Sequence, residues 1–316
     1  MSEPVATPTP RAGSDATTGA PLVTGGTGFA GKHLVALLST GGTPPVAPTS
    51  AELDLCDGAA ALAFVHAQQP AAVFHLAAFS SPSRSWDRPD AVVLNNVRMT
   101  INLLEAVRRE ASGATLVLIG SGQVYGESED LPTSENAPLA PGNPYAVSKA
   151  TADMLGRQYA EAYGLRVVRL RPFNHAGPGQ SDEYVVSSLA RQVAEAEVAG
   201  AKELVLRTGD PASARDFTDV RDVARAYRLA ATLDGGVFNV CTGRSVSVSD
   251  LVRIVTEHAH IPIRHEVDPD RLREHDARVM CGSHADLTEA TGWKPEISIE
   301  QTVTDTVDWW RSRLSS

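Results

Sequence analysis

Tyr145 and Lys149 stand four residues apart in the stretch NPYAVSKA, residues 143–150. At that spacing two side chains share one face of a helix, and Pro144 suits a helix's first turn. A tyrosine ordinarily titrates near about 10. An ammonium about 4 to 5 Å away contributes on the order of 4 kcal/mol at an effective dielectric near 20, enough to draw the phenol toward neutrality as an acid/base. The chain has only four lysines, Lys32, Lys149, Lys202 and Lys294, against twenty-four arginines, so a lysine in a suspected site is informative. An exposed Tyr–Lys pair on a helix has the same spacing. Ser121, in IGSGQVYG at 119–126, follows the apolar run 116–119. That places it at the carboxyl end of a strand, where open α/β sheets hold ligands. A hydroxyl, a phenol and an ammonium gathered there would polarise a carbonyl, or a hydroxyl being oxidised. Gln123, two residues on, can donate and accept hydrogen bonds but takes no proton at neutral pH.

A second constellation could hold a cofactor. VTGGTGFAGKHL, residues 23–34, places Gly25, Gly28 and Gly31 three apart, after a predicted strand and at the start of a predicted helix. Small residues there let the backbone approach a pyrophosphate, and a helix N-terminus supplies N–H groups and positive potential. Dinucleotide binding is the reading. The second strand leads into VAPTSAELDL, where no acid directly follows Val46 and no arginine stands for a 2′-phosphate. Thr49 and Ser50 could bond either group. Asp54 could contact adenine, or serve as the N-terminal acid of a helix.

The surrounding pattern supplies the frame. Short apolar runs at 21–24, 45–47, 72–76, 116–119, 167–170 and 237–240 read as strands. Helical periods at 32–38, 91–110 and 145–163 lie between them. Such alternation implies βαβ units and a parallel sheet with helices on both faces. Residues 1–18 are rich in Pro, Ser, Thr, Ala and Gly and read as a disordered tail without signal-peptide character. Residues 19–173 read as a dinucleotide-binding domain, to which a strand near 236–242 returns. Residues 174–316 read as a smaller, interleaved lobe. Among 316 residues 42% are apolar, ample for a core, and no apolar run reaches 18. The net charge of −10 argues against nucleic acid as the main partner. Cys56, Cys241 and Cys281 are scattered, as in reduced cytoplasmic proteins, and the nine histidines show no metal spacing.

Taken together, the turn at 25–31, His75-Leu76-Ala77-Ala78, Ser121, and Tyr145 with Lys149 resemble the extended short-chain dehydrogenase/reductases acting on nucleotide sugars. RPFNHAGPGQ (171–180), GDPASARDFTDVRDV (209–223), FNVCTG (238–243), and Arg273 and Asp276 ahead of TGWKP (291–295) are most similar to the GDP-mannose 4,6-dehydratase and GDP-4-keto-6-deoxymannose reductase branch. The resemblance runs from about residue 21 to the C-terminus. It implies a Rossmann-type doubly wound α/β sheet with a substrate-binding C-terminal lobe, and NADP or NAD as cofactor. The implied cofactor residues are Gly25, Thr27, Gly28, Phe29, Ala30, Asp54, Leu55, Leu76, Ala77, Ala78, Tyr145 and Lys149. The implied catalytic residues are Ser121, Tyr145 and Lys149. Asn174 would contact substrate, Arg215 and Arg273 would hold its diphosphate, and Asp276 stands where the branch has a glutamate for ribose hydroxyls. A salt bridge within RDFTDVRD is the alternative for Arg215, and plain surface charge for Arg273. Many extended members form homodimers through helices matching 91–110 and 145–163.

Gln123 narrows the reaction. The 4,6-dehydratases resembling this chain carry a glutamate base at that position, and the 3,5-epimerases a cysteine. An amide serves neither reaction. The expected activity is therefore NAD(P)H-dependent reduction of a nucleotide-linked 4-keto-6-deoxyhexose, GDP-linked as the branch resemblance implies, with hydride to C4 and Tyr145 as proton donor. The alternatives are a nucleotide-sugar epimerase with tightly bound NAD, or a 4,6-dehydratase-like enzyme. Gln123 then serves as a substrate contact or bonds loop backbone.

Overall fold

The computed structural model describes residues 19–128, 130–272 and 278–315. The tail at 1–18, Arg273 and Asp276 lie outside the described residues. In chain order the first half comprises β1 (Leu22–Thr24), α1 (Phe29–Ser39), α2 (Gly58–Gln68), β2 (Ala72–His75), α3 (Pro89–Glu110), β3 (Thr115–Ile119), α4 (Pro144–Tyr163) and β4 (Arg166–Pro172). The second half comprises β5 (Asn174–Ala176), α5 (Val185–Val198), β6 (Leu204–Thr208), β7 (Ala214–Asp219), α6 (Val220–Ala230), β8 (Gly236–Val240), β9 (Ser245–Ser247), α7 (Val248–His258), β10 (Ile263–Val267), β11 (Val279–Met280), α8 (Ala285–Thr291) and α9 (Ile299–Leu314).

The central sheet has five parallel strands in the order β1-β2-β3-β4-β8. The strands are mostly apolar because both faces are covered, with the arginines of β4 as the main exception, and successive residues serve opposite faces. Leu22, Val73, Leu116 and Val167 pack with Leu103, Leu104 and Tyr159 of α3 and α4. Val23, Phe74, Val117 and Val168 pack with Leu34 of α1 and Val223 and Tyr227 of α6. A further core gathers α5, α7 and α9 around Leu206 and Phe217. There β7 is flanked by β5, β11 and the antiparallel β9, and β6 pairs with β10.

The expected strand at 45–47 is reduced to one bridging residue. Val46 pairs with Leu22 in parallel, its N–H donates to Pro21 O at 2.8 Å, and its carbonyl accepts from Val23 N at 2.8 Å. Pro44, Pro45 and Pro48 have no N–H to extend the ladder. The bridge still fixes the topology. The chain leaves β1, lies along one side of it at Val46, and then crosses to the other side at β2. The connections diverge there, so a crevice opens at the carboxyl ends of β1 and β2. Among the described residues no helix is long and apolar enough to cross a membrane.

Helix α4 is tied to the sheet by charge. Buried Asp153 accepts from Arg171 Nε at 2.8 Å and Nη2 at 3.0 Å, and from Arg169 Nη1 at 2.9 Å. Arg171 continues to the Tyr125 hydroxyl at 2.8 Å and the Glu135 carbonyl at 3.1 Å. Removing the carboxylate would strand two guanidinium groups away from water. Asp153→Ala is expected to destabilise the fold by about 3 to 5 kcal/mol in urea unfolding; a loss below about 1 kcal/mol would show that the clamp is not needed.

Candidate active site

A cleft of about 860 Å³ is lined by the segments that follow β1, β2, β3 and β4. Its first wall is the glycine turn. Gly25 has φ +73°, and a Cβ there would lie 2.7 Å from Ala77 N, so only glycine fits where the β1 and β2 connections meet. A Cβ on Gly31 would fall 2.1 Å from Gly25 O, which lets α1 start directly against the turn. Gly28 is the N-cap of α1. No side chain caps that end, and its first turn holds no acid. The orphan N–H groups and positive end of an 11-residue helix thus face the cleft as an anion cradle.

The second wall carries the polar residues. Ser121 caps a short 3-10 helix, its hydroxyl accepting from Gln123 N at 3.2 Å. Asn143 caps α4 by accepting from Ala146 N at 2.8 Å, and its amide nitrogen donates to Gln123 Oε1 at 3.1 Å. Pro144 occupies the first turn. Tyr145 and Lys149 follow on the buried side of α4, 9% and 7% exposed. The Lys149 ammonium donates to Ile119 O at 2.7 Å and lies 5.9 Å from the centre of the Tyr145 ring.

The cleft lining unites Gly25, Thr27, Gly28, Phe29, Ala30, Leu76, Ala77, Ala78, Ser121, Gln123, Tyr145, Lys149 and Asn174. Three expected residues fall outside that lining. Asp54 accepts from Cys56 N at 2.8 Å in a local turn. Leu55 is buried in the core and its carbonyl accepts from Asn102 at 2.8 Å. Arg215, on β7, donates to Ser213 Oγ and to the Ala214 carbonyl, each at 2.9 Å. The cleft is also wider than the four catalytic-type residues suggest. Asp87 and Glu183 line it, the latter paired with Arg84, and the Tyr184 hydroxyl reaches Ser80 O at 3.5 Å across the opening.

The family described as GDP-mannose 4,6 dehydratase matches residues 47–306. The chain belongs to the GDP-mannose 4,6-dehydratase family. It is 39% identical to the GDP-6-deoxy-D-mannose reductase of Pseudomonas aeruginosa over 298 residues, 93% of this chain and 97% of that one. It is 31% identical to a UDP-glucose 4-epimerase of Mycolicibacterium smegmatis, over 92% of this chain and 98% of that one. Among solved structures, RMD from Pseudomonas aeruginosa complexed with NADPH superposes with a TM-score of 0.83 at 37% identity, over 94% of this chain and 100% of that one.

In this member of the dehydratase family the Tyr–Lys electrostatics differ from the sequence expectation. Burial pushes the Tyr145 phenol up to about 12, outweighing the hydrogen bond with Ser121 that favours its ionised form. Burial likewise pushes Lys149 down to about 8. The expectation of a phenol drawn toward neutrality is thereby corrected. Both groups are buried in the cleft wall, so desolvation of each charged form prevails, and the ammonium makes its short contact with the Ile119 carbonyl. At neutral pH the phenol keeps its proton.

Three residues, two of them within segments already singled out, have roles that the sequence reading did not assign. Asn96 accepts from Phe79 N at 2.8 Å and donates to Phe79 O at 3.2 Å and Ser148 Oγ at 2.9 Å, joining α3, the loop after β2, and α4. Its signal was present, since Val92, Asn96, Thr100 and Leu103 form one buried stripe in which two residues are polar. Buried Gln180 donates to His175 O at 2.8 Å while its Oε1 has no partner, and nothing in its spacing marks it. His75 bridges Thr24 at 2.9 Å and Thr100 at 3.4 Å, and burial lowers its pKa to about 3, so it stays neutral.

Lys149 carries a pH signature. A lysine whose folded pKa falls from 10.5 to about 8 disfavours the folded state at neutral pH, and that penalty disappears as pH rises. Relative to Lys149→Met, the wild type is expected to gain about 1.4 kcal/mol per pH unit between pH 8 and 10.5. Urea unfolding of both proteins across that interval measures it; a constant difference would show that Lys149 is not desolvated.

Proposed function

We propose that this member of the family is an NAD(P)H-dependent reductase of a nucleotide-linked 4-keto-6-deoxyhexose, with a GDP-linked sugar as first choice. The observation that carries the reading is the meeting of Ser121, Tyr145 and Lys149 with the glycine turn in one cleft, where the neighbouring Gln123 is an amide and not a carboxylate. The reductase relative and the NADPH complex support it.

The chain's residues fit a dinucleotide. Gly25 and Gly31 let the turn close directly against the β2 connection and the start of α1, the amino end of α1 is uncapped, and Gln180 presents a buried acceptor without a partner. Gly28, Phe29 and Ala30 would take its diphosphate, Lys149 its nicotinamide ribose, and Asp54 with Leu55 its adenine. When bound, the dinucleotide supplies a hydride. Tyr145 holds the complementary proton on its hydroxyl at neutral pH and delivers it to the C4 oxygen. Ser121 holds the same oxygen, keeping it within reach of the phenol. Gln123, fixed by Asn143, and Asn174 orient the sugar ring. Arg215, Arg273 and Asp276 are assigned to the nucleotide's diphosphate and ribose, consistent with forked cations on phosphate oxygens. Residues from 174 onward form the substrate side.

The exposed faces of α3 and α4 carry Leu94, Val147 and Met154, and we assign them to a homodimer interface. Analytical ultracentrifugation is expected to give a dimer, and a monomer at micromolar concentration would remove this assignment.

A panel of nucleotide 4-keto-6-deoxysugars with NADH or NADPH, products assigned by NMR, tests the reaction. Net consumption of reduced cofactor is expected. Purified protein that carries stoichiometric NAD and interconverts 4-epimers without added reductant would instead favour the epimerase reading, which the Mycolicibacterium relative keeps in view. Tyr145→Phe is expected to bind dinucleotide normally and to lose at least about a hundredfold in turnover. Near-normal turnover would remove the phenol from the mechanism.

A further inference from the structure

Among the described residues, two cleft-lining side chains have a buried polar atom without a hydrogen-bond partner: Gln180, through Oε1, and Tyr227, through its hydroxyl. Tyr227 is the more costly of the two. It lies on α6 and is 1% exposed, among Val23, Leu34, Phe74 and Val117. A phenylalanine would fill the same apolar space without leaving a hydroxyl deprived of water. Because this hydroxyl lines the cleft, a bound ligand is in a position to supply the missing partner.

Its surroundings say where that partner is. Tyr227 shares the cleft lining with Ile119, Gly120, Phe173 and Lys149. The Tyr145 phenol is close enough to act on it electrostatically, adding to the effect of burial. Tyr227 also packs in one cluster with Ile119, whose carbonyl holds Lys149, and the inference places its unpaired hydroxyl at that end of the cleft.

We propose that the Tyr227 hydroxyl is a binding group for the nicotinamide half of the dinucleotide, unpaired in the free protein and completed on binding. The proposal rests on the dinucleotide reading above. A phenolic hydroxyl both donates and accepts, and a carboxamide offers one acceptor and two donors, so the pairing needs no charge on either side.

Tyr227→Phe tests it, with four readouts. Dissociation constants for NADPH and NADH are measured by calorimetry on purified wild type and variant. The same titrations are run with 2′,5′-ADP and ADP-ribose, which lack the nicotinamide. Thermal unfolding is recorded without ligand. The expected result is a dinucleotide dissociation constant raised about five- to tenfold, unchanged affinity for both fragments, and a ligand-free melting temperature equal to or above that of wild type. Unchanged dinucleotide affinity overturns the proposal, and a lowered ligand-free melting temperature alongside it would identify the hydroxyl as a structural group. Equal weakening of the fragments overturns the nicotinamide placement. Wild-type protein that binds neither dinucleotide would sink the proposed function itself, whereas a wild type that binds and a variant that binds equally sink only this inference.

Discussion

The Lys149 ammonium donates to the Ile119 carbonyl at 2.7 Å, and this contact sets the geometry of everything near it. Ile119 ends β3, and Lys149 lies one turn into α4, so the bond fixes the helix start against the strand end. Tyr145, one turn earlier, is held beside Ser121 as a result. The bond also explains the electrostatics. An ammonium already occupied by a peptide carbonyl offers less to the phenol, and with both groups buried neither gains from ionisation. In the proposed reduction the substrate oxygen needs a proton, which a phenol that retains its own at neutral pH would supply. The buried pair suits an acid better than it suits a base.

The neighbouring amide has a matching logic. Gln123 is positioned by its own backbone bond to Ser121 and by the donation from Asn143, itself the cap of α4. One set of contacts therefore orients the serine, the glutamine and the helix carrying the phenol. A carboxylate in the Gln123 position would accept the Asn143 bond equally well, so the amide is not required by the fold. Its chemistry, the inability to remove a proton, is then the property on which the proposed reduction rests. The carboxylates that do line the cleft, Asp87 and Glu183, sit on the loops after β2 and β5 rather than beside Ser121, and Glu183 is engaged by Arg84.

How much of this was legible beforehand follows from the range of the forces involved. The parallel sheet was readable because each central strand holds a short apolar run, which burial on both faces favours. The glycine turn was readable because steric exclusion at Gly25 and Gly31 acts on residue type directly. Tyr145 and Lys149 were readable because helical spacing is local. The Lys149 pKa was not, since it depends on which carbonyl β3 presents after folding, thirty residues away in sequence. Asn96 depends on a similarly remote partner, Ser148, whereas Gln180 bonds the nearby His175 carbonyl through a turn whose geometry no period in the sequence marks. The strand at 45–47 was overread because apolar character was weighed without the three prolines that deprive it of donors.

The distribution of cost across the molecule separates scaffold from site. Away from the cleft, the buried carboxylates that tie helices to their surroundings are well partnered: Asp153 has three guanidinium contacts, and Asp222 accepts from Glu296 N at 2.7 Å and Ile297 N at 2.8 Å, while Arg166 Nε and Nη2 on β4 are an exception without partners. The cleft gathers more such deficits in one place. Lys149 is desolvated with one partner, and Gln180 Oε1 and the Tyr227 hydroxyl have none. Folding tolerates these deficits because the surrounding network over-determines the backbone that carries them. A ligand that satisfies them recovers free energy the free protein lacks, and it does so without rearranging groups that are already fixed. The same deficits that lower the stability of the empty site are therefore the source of its affinity and orientation when filled.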